Sequence, residues 1–338
     1  MKNRFFLVFA VFAATAHLPA ADALPEFKPR LPMSVVFKGQ KKFDLLVKQA
    51  TRENWAALPI GERTARVGRA LLGTPYVNYT LEIHDHIESP SVNLQGLDCW
   101  TFYEVSLASA RMLRVKDSDY RPADLLALVE MERYRHGRCD GSFLSRMHFL
   151  EEVFADNQVR GLSTNPTKAL GGEPLSREIH EMTTAWKSYR YLRNNPSLLP
   201  RMAVIQEKVS ALPVYHIPRS QVASAERHIQ TGDIIAITCK DSSSYTSHVG
   251  IAVRKSDGVH FMHATSRRSA GRKVAIHAQI AAPAALAGVI ATLSPQPQAD
   301  VWLGLLNTKV ADNLSARKSI CVPSRNMIAF GSTTILTP

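Results

Sequence analysis

The chain reads as an α+β fold, with helices first and an antiparallel sheet second. Three observations predict it. Apolar residues recur at helical spacing from Lys41 to Leu72, and again behind Asp98 from Cys99 to Leu113. From Gly232 the pattern changes to short apolar runs: Ile234 to Thr238, His248 to Val253, Val259 to Ala264 and Lys273 to Ile276. Asp241-Ser242-Ser243-Ser244, Asp257-Gly258 and Ala270-Gly271 separate these runs, as in a meander of strands. With 338 residues and 45% apolar content, the chain can bury a sizeable core.

The first 23 residues have the form of a secretory signal. Lys2 and Arg4 precede the apolar run Phe5 to Ala14, and Ala21-Asp22-Ala23 offers a small-residue cleavage site, with Leu18-Pro19-Ala20 as a second choice. That run is too short to span a bilayer comfortably, and no later stretch is long and apolar enough. The expectation is an exported protein of the periplasm or cell envelope with no transmembrane segment. Residues 24–64 form a helical lead-in: a Pro-rich start, then one helix on Phe43, Leu45, Leu46 and Ala50. A second helix runs from Ile60 to Leu71 and stops at Gly73. Tyr76 to Ile83 reads as extended, and His84 to Pro90 as a polar loop. About 117–200 reads as a helical insert, with helices over Ala123–Arg135, Phe143–Phe154 and Arg177–Leu192. Pro213–Ile217 reads as a short strand and Gly288–Thr292 as a last strand. Residues 294–338 form an extension without a readable motif.

The formal charge of +12 and pI near 9.7 favour polyanionic surroundings. The basic residues are spread thinly; Arg267-Arg268 and Arg272-Lys273 are the densest cluster. No aromatic-interleaved basic motif is present, so nucleic acid is not the expected partner. The four cysteines, Cys99, Cys139, Cys239 and Cys321, include no C-x-x-C pair, which argues against a zinc site or a redox pair. His84-Asp85-His86 lies in a loop without an H-E-x-x-H helix, so no metal is expected there.

Cys99 carries the chemistry. Asp98 caps the helix that follows, which puts Cys99 in the first turn, where unpaired N–H groups and the helix dipole favour a thiolate. The same N–H groups stabilise a developing oxyanion. The competing reading is an inert buried cysteine packing its helix on the core. If Cys99 is the nucleophile it stays reduced, and the other three cysteines form at most one disulfide. His248 opens one strand and His263 lies near the end of the next. A four-residue loop, Lys255 to Gly258, sets Thr265 opposite His248 and His263 diagonally beside it on the same face, with His260 on the other face. A tight two-residue turn at Asp257-Gly258 instead leaves His263 roughly 13 Å along the strand, too far to hydrogen-bond. Gly250 indicates a close backbone approach.

Gly73-Thr74-Pro75-Tyr76, Leu97-Asp98-Cys99, Gly232-Asp233-Ile234, Ser247-His248-Val249-Gly250-Ile251 and Met262-His263-Ala264 occur in this order. The set resembles the NlpC-type branch of papain-like cysteine hydrolases. It is more closely similar to the N-acetylmuramoyl-L-alanine amidase-like family, which Ser145-Arg146-Met147-His148-Phe149 and Leu170-Gly171-Gly172 also resemble. The likeness covers roughly Ala65 to Thr292. It implies a papain-like domain over 65–293 that hydrolyses a peptidoglycan amide bond, with peptidoglycan or muropeptides as partner, no cofactor and a monomeric chain. It also implies Cys99 as nucleophile, His248 as base and His263 as the orienting third member. Tyr76, Asp98, Arg146 and His148 are the implied substrate contacts. Two departures stand out: Ser243-Ser244-Tyr245-Thr246 occupy a neighbourhood where an acidic residue is expected, and the tail beyond Thr292 lacks the family's compact finish. The leading activity is N-acetylmuramoyl-L-alanine amidase. The alternatives are a D-γ-glutamyl-diamino acid endopeptidase and a catalytically inactive wall-binding module.

Overall fold

The computed structural model describes residues 24, 26–165, 167–238 and 243–265, plus the backbone of short strands at Arg268–Ser269, Arg272–Lys273, Ala291–Leu293 and Val301–Trp302. Residues 1–23, expected to be a signal sequence, lie outside the described residues, as do Cys239, Cys321, the strand end at 274–276 and almost all of the C-terminal extension.

The described residues form a mixed helix and sheet structure. Helix α1 (Gln40–Arg52) buries Phe43, Leu46 and Ala50, and α2 (Ile60–Ala70) buries Ala65 and Val67 on the same core. Helix α3 (Cys99–Val115) buries residues around its whole circumference, as a central helix does. Helix α4 (Pro122–Arg133) begins on Pro122, whose missing N–H costs nothing at the first helical position. Helices α5 (Leu150–Val159) and α6 (Leu199–Ser210) follow.

The sheet runs in the order β4-β1-β2-β3, antiparallel throughout, with β1 Ile234–Thr238, β2 Thr246–Lys255, β3 Gly258–Met262 and β4 Ala291–Leu293. Val301–Trp302 also pairs with β1, in parallel, so the antiparallel order holds for these four strands only. Every residue of β1 is buried because the sheet is covered on both faces. Ile234 and Ala236 join Val249, Ile251, Val253 and Met262 against α3, whereas Ile235 and Ile237 join Ala252, Val259 and Phe261 against Ile217, Val222 and Ile229. The entry to β1 touches the start of α2 without side chains between them. Gly232 sits at φ +92°, and a Cβ there would lie 2.2 Å from the Gly61 Cα.

Three expectations are corrected. The helix read over Phe143–Phe154 is a 3₁₀ turn at Phe143–Ser145, an extended stretch through Arg146, and then α5 from Leu150. Arg146 bridges to Tyr134 in the backbone while its side chain turns inward to Glu88, and these long-range pairings override local periodicity. The helix read over Arg177–Leu192 breaks into Glu181–Thr184, Trp186–Ser188 and Arg190–Asn194, with Tyr189 extended and fully buried between pieces. The extended run Tyr76–Ile83 pairs only at Tyr76, which bridges Leu97, before the chain turns at Tyr79. The cluster of Phe143, Met182, Tyr189 and Leu192 continues through Met202 and Val209 of α6. Among the described residues no helix is long and apolar enough to cross a membrane.

A buried ion pair fixes α4 against α3. The Arg133 guanidinium donates to both Glu104 carboxylate oxygens, at 2.9 and 2.5 Å, with side-chain exposures of 1% and 2%. Removing one partner strands a buried charge, so Arg133→Met is expected to lose about 3–5 kcal/mol of stability. Urea unfolding of wild type and variant measures the loss.

Candidate active site

Asp98 is the N-cap of α3. Its Oδ1 accepts the Thr101 N–H and the Thr101 hydroxyl, both at 2.8 Å, while its own N–H donates to Thr101 Oγ1 at 2.9 Å. This reciprocal box fixes the first turn and leaves Cys99 as its first helical residue. Cys99 is buried and outside any disulfide, as is Cys139. Just upstream, the Val77 N–H donates to the Leu97 carbonyl and the Leu97 N–H to the Pro75 carbonyl, both at 3.1 Å. These bonds strap Tyr76 beside the first turn of α3. Burial, and after it the charges of Cys99 and Asp98, push the Tyr76 phenol well above its ordinary range. Tyr76 stays a neutral donor at physiological pH.

The two histidines meet. The β2–β3 turn closes on Lys255 opposite Gly258, and Ile251 pairs with Met262. Continued to the end of β2, this register sets Thr265 opposite His248, the alignment that the sequence requires for a His248–His263 contact. His248 Nε2 lies 2.5 Å from His263 Nδ1, with the rings at 89°. A β-bulge precedes His248: Ile237 pairs with His248 and Thr238 with Thr246, which leaves Ser247 unmatched. Bulges re-aim the side chains beside them. Ser247 Oγ donates to the Ile237 carbonyl at 3.2 Å and holds this one in place.

Phe261, whose role has no signal in the sequence, supports both imidazoles. Its ring stacks on His263 at 4.8 Å and 24°, and meets His248 edge-on at 5.9 Å. Gly250 makes room for it, since a Cβ there would stand 2.7 Å from the Phe261 ring and 2.6 Å from the Met262 carbonyl oxygen. His260 sits apart at the hairpin tip, 2.7 Å from Asp257.

Cys99, Asp98 and His248 line one cleft of about 870 Å³, counting its open mouth. Arg146 and His148 line it from the insert side. Arg146 is 5% exposed, 3.1 Å from the Glu88 carboxylate and 4.8 Å over the Phe143 ring. His148 Nε2 is bonded to the Phe143 carbonyl at 2.9 Å. Tyr76 is not among the residues that line the cleft, whereas Tyr79 is. Tyr79 has φ +63°, a left-handed conformation that is costly for a bulky residue and gave no sequence signal. Glu82, Trp100, Phe149 and Tyr189 complete the walls. The Arg190 N–H donates to Glu82 at 2.8 Å and its guanidinium to Asp85 at 2.5 Å, which fastens the Tyr79–His86 loop to the insert. His84 and His86 serve that loop: His84 Nδ1 accepts the His86 and Ile87 N–H groups, and His86 Nδ1 meets Asn195 at 2.8 Å.

Two outcomes are expected from this packing. Gly250→Ala forces Phe261 off the histidines and costs about 1–3 kcal/mol, measurable by urea unfolding. Glu151, on α5 behind the cleft wall, is 4% exposed, and burial lifts its carboxyl from the ordinary 4.5 to about 8. The ionisable or polar groups facing it are Glu152 on its own helix and Tyr245 and Thr246 on the chain entering β2. A carboxyl raised in the folded state gives stability that is full below pH 4.5 and is lost as the pH climbs to about 8. Glu151→Gln therefore gains on wild type progressively across that window in unfolding midpoints taken against pH; parallel curves would contradict it.

A family model described as N-acetylmuramoyl-L-alanine amidase-like matches residues 66–278. An N-acetylmuramoyl-L-alanine amidase of Bacteroides uniformis superposes with TM-score 0.59 at 25% identity, over 68% of this chain and 98% of that one. A Bacteroides fragilis protein provisionally called a xylanase aligns at 26% identity and TM-score 0.58, over 68% of this chain and 99% of its own. A DUF1460 protein of Legionella pneumophila shares the fold, with TM-score 0.53 at 15% identity over 79% of this chain and 100% of that one. No curated protein matches the chain. With its matched segment running from the second helix through both histidines, the chain belongs to the N-acetylmuramoyl-L-alanine amidase-like family.

Proposed function

We propose that the chain is an exported cysteine amidase of the NlpC-type papain-like class, cleaving the bond between N-acetylmuramic acid and L-alanine in peptidoglycan fragments. The observation that carries this reading is the His248–His263 pair, 2.5 Å apart, on a cleft shared with a helix-N-terminal cysteine.

The bond to His263 occupies His248 Nε2, so Nδ1 is the nitrogen left to take the Cys99 proton. The helix N-terminus favours the resulting thiolate. The thiolate attacks the lactyl carbonyl carbon, and N–H groups of the first turn of α3 stabilise the oxyanion. The imidazolium of His248 then gives its proton to the departing L-alanine nitrogen as the C–N bond breaks, leaving a thioester on Cys99. His248 takes a proton from water, the hydroxide releases the muramyl carboxylate, and the proton returns to sulfur. His263 fixes the ring and tautomer of His248, the task of the third member in such triads.

Arg146 supports a carboxylated stem peptide as substrate. It faces the cleft, and its Nη2 is buried without a hydrogen-bond partner among the described residues. Planar guanidinium groups pair well with carboxylates. His148 supports Arg146 by fixing Phe143, over which the guanidinium stacks. Asp98 acts through its cap rather than on substrate, and Tyr76 borders the nucleophile from behind.

Digestion of purified peptidoglycan and of muropeptides, with products weighed by mass spectrometry, tests the reading. Free stem peptides beginning at L-alanine are expected from wild type. Cys99→Ala is expected to lower kcat by about 10⁴-fold or more and His263→Ala by on the order of 10³-fold. Disaccharide carrying only L-alanine and D-glutamate would establish endopeptidase cleavage by the same site. No cleavage by folded wild type would favour a wall-binding module.

A further inference from the structure

Glu151 takes no part in that chemistry, and it lies where the insert meets the strand of His248. It stands in the first turn of α5, after Leu150, which lines the cleft. Its carboxyl is hydrogen-bonded to Thr246, another cleft residue, and faces Tyr245. Thr246 is the last paired residue before the bulge at Ser247, and His248 is the first after it. The Glu151 side chain is 4% exposed, and its Oε1 has no hydrogen-bond partner among the described residues. An acid so placed costs stability, because burying a polar group without its full set of partners is unfavourable. Its first-turn position should favour the charged carboxylate. Burial outweighs that and keeps the proton on up to about pH 8. The group is therefore a neutral acid at working pH, able to donate and to accept, as a glutamine amide also is.

We propose that Glu151 is a positioning residue: through Thr246 it pins one side of the Ser247 bulge to the insert and so aims His248 at Cys99. This rests on the reading of Cys99 and His248 as nucleophile and base. The acid that the sequence lacks just ahead of His248 is supplied from the insert instead. The insert then both walls the cleft and sets the angle of the base.

The test uses the full chain and needs no substrate for its first arm. Alkylation of Cys99 by iodoacetamide near pH 6.5 is read by mass spectrometry on the Cys99 peptide, since a well-aimed imidazolium adds to the helix N-terminus in holding the reactive thiolate there. The second arm measures kcat and KM on a muropeptide. Glu151→Ala is expected to slow alkylation and kcat by about tenfold or more, with KM within about twofold, because a base displaced by less than an ångström loses rate rather than affinity. Glu151→Gln restores both to within about threefold. Thr246→Val repeats the alanine defect, and the double variant adds nothing to it, as expected for two groups acting through one contact. Wild-type alkylation in a folded Glu151→Ala or Thr246→Val variant would overturn the proposal, as would a glutamine variant as slow as the alanine one. If Glu151→Ala does not fold, Thr246→Val carries the test. If wild type cleaves no muropeptide while the alkylation pattern holds, the amidase reading fails and the positioning role stands.

Discussion

Helix α3 carries Cys99 as its first residue and buries thirteen of its seventeen residues, so the thiol cannot move without the helix. Its contacts come from every side: Val249, Ile251 and Met262 of the sheet, Ala65 and Val67 of α2, Leu125 and Val129 of α4. A helix so enclosed has no solvent face on which to slide. Interiors packed at crystal-like density transmit displacement rather than absorb it. The distance between the Cys99 turn and the sheet is therefore a property of the whole core. What remains adjustable is the imidazole side, where strand pairing, a bulge and a ring stack place His248.

The polar groups beneath this helix show which energy term wins. Glu132 has Arg111 at 2.6 Å, yet burial lifts its carboxyl to about 7. Attraction to one guanidinium does not repay the water that Glu132 has lost. Glu88 lies beside Arg146 and accepts from the Tyr134 hydroxyl at 2.7 Å, and burial still raises it. Such groups cost stability and give geometry in return: they tie the insert, α4 and the loop before α3 into one arrangement around the cleft. The basic excess of the chain sits mainly outside these pairs, at exposed positions such as Lys41, Lys48 and Arg69. It has little part in the site's internal order.

Much of this was legible in the sequence because it is local. Asp98 before an apolar run announces a capped helix, and the cap bond to Thr101 is made. Side-chain alternation limits the β2–β3 register to two alignments, and the fold takes the one that brings the histidines together; Gly250 signals the close approach that Phe261 fills. The parts that could not be read depend on distant partners. Arg146 leaves helical geometry because Glu88 is waiting across the fold. Tyr189 is pulled extended between helical pieces, with its hydroxyl donating to Glu181 at 3.0 Å. Tyr79 adopts a left-handed conformation that only its surroundings can impose. Glu151 looks like ordinary first-turn helix charge until the fold sets it against Thr246.

In the proposed mechanism the third member is an imidazole, and this changes what the other parts must do. A carboxylate partner would stabilise the imidazolium of His248 through a charge-assisted bond, roughly twice as strong as a neutral one. His263 supplies orientation and a polarised hydrogen bond without a full negative charge. The ion pair with Cys99 must then draw more on the helix N-terminus and on exact placement of the base. That requirement accounts for the amount of structure spent on two rings: the bulge at Ser247, the glycine that admits Phe261, and the stack of Phe261 on His263. A site with less charge to steer its base depends more on rigidity. The covered sheet and the insert packed against its active end supply that rigidity.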